Sequence, residues 1–153
     1  MIHSSHDSVI VRRSGSFLIP LVQLFGLYVL FFGQYGPGGG FVGGVMLGAS
    51  LIAGLLIFGP EGPHAVAAKT ALEGDGLGLI IFVGVGGLCL IGGGEFLNYS
   101  NLEIPGLDSP SRRHVGIIVT QIGVALDISV AAVSIAYSLS ASDGNGENGG
   151  ADA

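Results

Sequence analysis

Four apolar stretches, separated by polar or glycine-rich breaks, set the organisation of this 153-residue chain. They occupy 17–32, 41–58, 77–93 and 115–139. Each approaches the roughly 20 residues a helix needs to cross about 30 Å of hydrocarbon. Flanking Ser and Gly extend the first three, which are slightly short. The pattern predicts an all-α integral membrane fold of about four transmembrane helices. The break at 34–40 is short, so helices one and two are expected to form a tight antiparallel hairpin. The break at 59–76 carries Pro60, Glu61, Pro63, His64, Lys69, Glu73 and Asp75, and its centre at 65–72 suits a short interfacial helix. The break at 94–114 carries Glu95, Glu103, Pro105, Asp108, Pro110, Arg112 and Arg113 and reads as polar and irregular.

The first break holds the most distinctive run, Gly33-Gln34-Tyr35-Gly36-Pro37-Gly38-Gly39-Gly40-Phe41-Val42-Gly43-Gly44. Glycine allows positive φ and close backbone approach, and Pro37 stiffens the turn and removes a donor. At membrane depth such backbone is tolerated only where protein or a water-filled cavity covers it. Gly36, Pro37, Gly38, Gly39, Gly40, Phe41, Gly43 and Gly44 are therefore read as a packing motif. Gly44 and Gly48, and Gly84, Gly86 and Gly87, are small residues suited to close helix contact.

Composition strengthens the membrane reading. Mean hydropathy is +0.72, and 10% of residues are charged, against about 25% in soluble domains. The 29 glycines show no Gly-X-Y period, which excludes collagen. The net charge of −6 owes much to Asp143, Glu147 and Asp152 in a tail at 141–153, expected to be disordered. The remaining divisions are an N-terminal cytoplasmic segment, 1–15, and a four-helix membrane domain, 16–140. No basic patch points to nucleic acid. Cys89, the single cysteine, reads as a buried, inert thiol. Arg12 and Arg13 before an apolar run superficially suggest a signal peptide. The glycine turn is a poor cleavage site, so the first stretch is expected to stay as a membrane helix. Arg12, Arg13 and Lys69 against Arg112 and Arg113 favour both termini inside.

Asp127 lies near the middle of the fourth stretch. A carboxylate at that depth costs roughly 2.5–3.5 kcal/mol and should face a partner or a cavity. It suits a proton relay, part of a cation site, or a hydrogen-bond clamp to a neighbouring helix. Thr120 and Gln121, nearly two turns earlier, also need partners across an interface. Glu95 follows the third stretch, where the helix dipole disfavours a carboxylate. It reads as a group lining an aqueous entrance or as an ordinary interfacial carboxylate. Asp127, Glu95, Gln121 and Thr120 are the ion-path candidates. His3, His6, His64 and His114 lack metal-ligand spacing. Asn98-Tyr99-Ser100 fits a glycosylation sequon, a pattern common by chance. No phosphate loop, catalytic triad or cysteine cluster occurs, so the chain reads as non-catalytic, without cofactor or metal.

The run from Gly33 to Gly44 resembles the signature of the B subunit of Mrp-type multisubunit sodium/proton antiporters, and Pro20–Tyr28 and Gly116–Asp127 are also similar to that family. The resemblance covers roughly 12–140. Gln34 stands where the family usually has His, and Gln121 where many relatives have an acidic residue. Both changes remove a titratable group and leave Glu95 and Asp127 as the acidic candidates. The resemblance implies a multi-pass subunit in a prokaryotic inner membrane. It would partner other membrane subunits, the lipid bilayer, and the transported cation and proton. Relatives also occur in energy-converting hydrogenase and complex I-like assemblies. A purely structural membrane protein is the third reading. The ion is not readable, because sodium, potassium and calcium share oxygen ligands.

Overall fold

The computed structural model describes residues 9–59, 76–102 and 105–146. They form α1 (Val9–Phe32), α2 (Gly40–Phe58), α3 (Leu77–Ile91), a 3-10 turn (Tyr99–Asn101) and α4 (Ser109–Gly146). No strand occurs among the described residues, so the fold is all-α. α1, α2 and residues Ser109–Leu139 of α4 are long and apolar enough to cross a membrane. The expected interfacial helix at 65–72 lies outside the described residues, as do His3, His6, His64 and Lys69.

The helices do not start and stop where the apolar stretches do. α1 begins eight residues before Phe17, and Ser16 Oγ donates to Arg12 O at 2.9 Å within it. The Arg12 guanidinium lies over the Phe58 ring, 5.9 Å from its centroid. Pro20 sits inside α1, at the cost of one backbone hydrogen bond. α4 starts at Ser109, inside the stretch expected to be irregular. Pro110 lies in its first turn, where a missing N–H costs nothing, and Arg112 N donates to Asp108 O at 3.1 Å. α4 runs on to Gly146, past the expected start of the tail at 141, because extending an established helix is cheap per residue.

α3 starts where its apolar stretch does and stops at Ile91. It has 15 residues, about 22 Å at 1.5 Å per residue, which is shorter than a bilayer core of about 30 Å. Gly76, with φ +84, stands at its start, and Gly92 follows its end. α3 is therefore shorter than the three candidate spans, while its direction still returns the chain toward the end at which α4 starts.

Helix directions follow from the glycine contacts. Gly26 meets Met46 and Gly15 meets Ile57, so α1 and α2 are antiparallel. Gly40 meets Gln121, Gly44 meets Ala125 and Gly48 meets Ser129, so α2 and α4 are parallel. Gly78 meets Gly123 and Asp127, and the segment after α3 brings Tyr99 back to Gly116, so α3 runs against α4. The start of α1 and the end of α4 thus share one end of the bundle. The glycine turn, Glu95 and the start of α4 share the other, called here the turn end. α2 lies between α1 and α4, and α4 between α2 and α3.

The hairpin between α1 and α2 is tight, as its length predicts. Gly39 takes φ +109, and its N–H donates to Val29 O at 3.2 Å. A side chain on Gly33 would run into the backbone of Gly38 and Gly39. Among the described residues the buried apolar ones are few: Ile19, Leu30, Cys89, Ala125, Val130 and Val133. Phe17, Leu24, Ile80 and Leu139 face outward. A small core with an apolar exterior suits a chain whose solvent is lipid.

Candidate functional site

α4 organises the polar groups, because it carries two faces with different neighbours. Gln121, Ala125 and Ser129 recur every four residues and share one side of the helix. This side meets Gly40, Gly44 and Gly48 of α2, which recur at the same spacing. Gly116, Thr120, Gly123 and Asp127 lie at spacings of three and four on another side. This second side meets α3 and the segment that follows it.

The α2–α4 seam is backbone against backbone. A Cβ on Gly44 would lie 2.8 Å from both Cα and O of Ala125, and one on Gly48 would lie 3.1 Å from Ala132 Cβ. Close approach lets Ser129 Oγ reach Gly44 O at 2.9 Å, with Ala125 O at 2.7 Å as its alternative acceptor. The hydroxyl has one proton to share between them. In lipid, polar side chains fasten helices in this way. Ser129 is not among the residues singled out from the sequence; its spacing of four from Ala125 and eight from Gln121 is the available signal.

On the other face, Tyr99 Oη donates to Thr120 Oγ1 at 3.1 Å, and Thr120 Oγ1 donates to Gly116 O at 2.8 Å. The Tyr99 ring packs on Gly116. The chain returns to this position through Leu97, whose φ of +64 is left-handed, and through Phe96, whose ring covers Gly86 and meets Phe82 edge-on at 6.3 Å. Thr120 therefore has the interface partner its position requires. In the sequence Tyr99 stands out only as part of a sequon; its role depends on a fold-back that no local pattern announces.

Asp127 is half-buried beside the start of α3. A Cβ on Gly78 would lie 2.9 Å from Asp127 Cβ. The first turn of α3 leaves backbone N–H groups without helical partners and carries the positive end of the helix dipole. Asp127 thus combines three features: the middle of a membrane-spanning helix, partial exposure, and a helix N-terminus nearby. Glu95 is exposed just beyond the other end of α3, about 22 Å away along that helix. The structure does not bring these two carboxylates together. Among the described residues, no group of three or more His, Cys, Asp or Glu is placed to hold a metal.

Gln121 is the hub of the glycine motif. Its side-chain amide lies against Gly39, and its backbone carbonyl lies under Gly40. Gly43 packs on Gly26 and Leu30 of α1, and Gly44 on α4. Gly38 packs on Val29. Gly36 and Pro37 are exposed at the tip of the turn, and Phe41 is exposed and points away from the chain's own core. The motif thus divides into a buried part, Gly39, Gly40, Gly43 and Gly44, and an exposed part, Gly36, Pro37, Gly38 and Phe41. At the turn end, Gln34 Nε2 lies 2.9 Å from His114 Nδ1, joining the turn to α4 across 80 residues of sequence.

Residues 10–135 match a family described as a domain related to the MnhB subunit of a Na+/H+ antiporter. The chain is also similar to the B subunit of the Na(+)/H(+) antiporter of Alkalihalophilus pseudofirmus. The two are 32% identical over 121 residues, covering 71% of this chain and 80% of that protein.

Proposed function

This chain belongs to the family of domains related to the MnhB subunit of Na+/H+ antiporters, and from that premise we propose its role. It is a multi-pass subunit of a Na+/H+ antiporter complex in a prokaryotic cell membrane, and its principal contribution is to assembly. The observation that carries this reading is the α2–α4 seam, where Gly40 and Gly44 admit no side chain against Gln121 and Ala125, and Gly48 lies close against Ser129 and Ala132. Packing this close sets helix position to a fraction of an ångström. It leaves Gly36, Pro37 and Phe41 facing outward, where neighbouring membrane subunits would meet them. Asp127 at the start of α3, with Thr120 on the same face, forms the region of the chain best suited to line an ion path. Glu95 at the turn end would meet ions entering from water. The antiport chemistry itself belongs to the assembled complex, with this chain as a transporter component.

Purification of the tagged chain from its native membrane, with mass spectrometry of what accompanies it, tests the reading. Other antiporter subunits are expected in constant ratio. Hydrogenase-like catalytic subunits in their place would transfer the chain to a redox-driven complex. Recovery of the chain alone would leave only a structural membrane protein.

A further inference from the structure

α1 buries Gly15, Ile19, Gly26 and Leu30, and this face meets α2 through Gly15, Gly26 and Leu30. Ser16, Pro20, Gln23 and Leu27 recur at spacings of four and three and share a second side, about 100° further round the helix. Gln23 is half-buried there, and the other three are exposed. Two polar groups on this side lack partners. The Gln23 amide offers two N–H donors and a carbonyl oxygen, and none of them makes a hydrogen bond within the chain. Ser16 O loses its helical donor, because Pro20, four residues on, has no N–H. The Ser16 hydroxyl is already committed to Arg12 O at 2.9 Å. Ser50, Thr120 and Ser129, the buried polar side chains among the described residues, all donate to backbone carbonyls instead.

Depth makes the unmet demand costly. α1 has 24 residues and is about 36 Å long, against about 30 Å of hydrocarbon. Gln23 stands about 14 Å along the helix from Phe32, well inside that layer, where lipid offers neither donor nor acceptor. The opposite side of α1 exposes Leu21, Phe25 and Phe32, which lipid satisfies. The polar side therefore calls for protein. A second copy of this chain fits it poorly. Two copies related by a two-fold axis along the membrane normal would run their α1 helices parallel and set Gln23 against Gln23. Ser16 O would then face another acceptor, Ser16 O of the other copy. A helix from a different subunit has no such restriction. It needs a side chain with donor and acceptor opposite Gln23, and a donor about 10 Å away, two turns along, opposite Ser16 O.

We propose that the side of α1 formed by Ser16, Pro20, Gln23 and Leu27 docks a transmembrane helix of a neighbouring antiporter subunit, whose Asn, Gln, Ser or Thr side chain bonds the Gln23 amide. The inference rests on the antiporter reading and adds a contact in mid-membrane to the one at the glycine turn. Two measurements on the whole complex test it. A benzophenone amino acid in place of Leu27 puts a photoreactive ketone on this side and leaves Gln23 intact. Irradiation in the membrane should join the chain to another antiporter subunit. Gln23→Leu removes the amide, which has no partner inside the chain. It should weaken association with the other subunits roughly 3- to 15-fold, read as co-purified subunits per tagged chain on dilution of the solubilised complex. Adducts only with lipid or only with a second copy of this chain, or unchanged association in Gln23→Leu, would overturn the docking and leave the antiporter reading standing. Membranes in which no antiporter subunit accompanies the wild-type chain would instead bring down that reading and the docking with it.

Discussion

Gly44→Ala adds one methyl group to the α2–α4 seam and gives the most quantitative test of its packing. The new Cβ would lie 2.8 Å from Cα and O of Ala125 and 3.1 Å from Ile128 Cβ. The first two atoms are backbone and cannot rotate away. Relaxed contact between carbons needs about 3.5–4.0 Å, so the helices must part by roughly 1 Å at this level. The Ser129 Oγ–Gly44 O bond, now 2.9 Å, would then stretch beyond hydrogen-bonding range. Overpacking typically costs about 1–3 kcal/mol, and an interhelical hydrogen bond in a membrane is worth about 0.6 kcal/mol. The better helix propensity of Ala offsets about 1 kcal/mol. The net loss is about 0.6–2.6 kcal/mol, a factor of roughly 3 to 70 in an assembly equilibrium at about 1.4 kcal/mol per tenfold. The control is Gly87→Ala, where nothing in the chain lies within 4 Å of the new Cβ. Thermal stability and yield of the detergent-purified complex, read by size-exclusion chromatography, should fall for Gly44→Ala and hold for Gly87→Ala. Equal behaviour of the two variants would refute the seam, because helix propensity alone would then govern both positions.

Ser129→Ala removes the interhelical bond to Gly44 without adding bulk, so it should cost about 0.6–1.7 kcal/mol, visible as a smaller drop in the same thermal assay. Asp127→Asn keeps size and hydrogen bonding but cannot ionise. On the packing account the complex assembles and retains exchange, and intact assembly with abolished exchange would instead make Asp127 part of the path. Epitope tags at the two ends of the chain should be reached from the same membrane face, because α1 starts where α4 ends. Protection of one tag and exposure of the other would contradict the helix directions.

Much of this architecture is legible in the residues alone. The apolar stretches set four helices, and the length and glycine content of the first break set the hairpin, because a turn so short leaves little choice of direction. Gly44 and Gly48 announce close packing by their spacing, though not which helix they meet. That partner depends on the register between α2 and α4, which local sequence does not encode. The same limit hides the Tyr99–Thr120 and Gln34–His114 bonds, each made by residues distant in sequence and joined only by the fold. Hydropathy carries the third stretch to residue 93, whereas α3 ends at Ile91 and Gly93 takes a left-handed φ of +77. Phe41 at the start of α2 points outward, where a neighbour or lipid covers it, and its place in the motif does not reveal that direction. For the ion-path candidates, the sequence supplies residue types and depth but no pairing. Glu95 and Asp127, the two acidic candidates, lie at opposite ends of α3.

The central claim is that this chain is a required membrane subunit of a Na+/H+ antiporter, and one comparison of everted vesicles tests it most directly. Vesicles from cells expressing the complete set of co-purifying subunits are compared with vesicles lacking only this chain, with the content of each other subunit quantified in parallel. The account predicts Na+-driven proton movement in the first, its loss together with loss of the assembled complex in the second, and restoration of both when the chain is supplied again. Full exchange and a fully assembled complex in its absence would contradict the account.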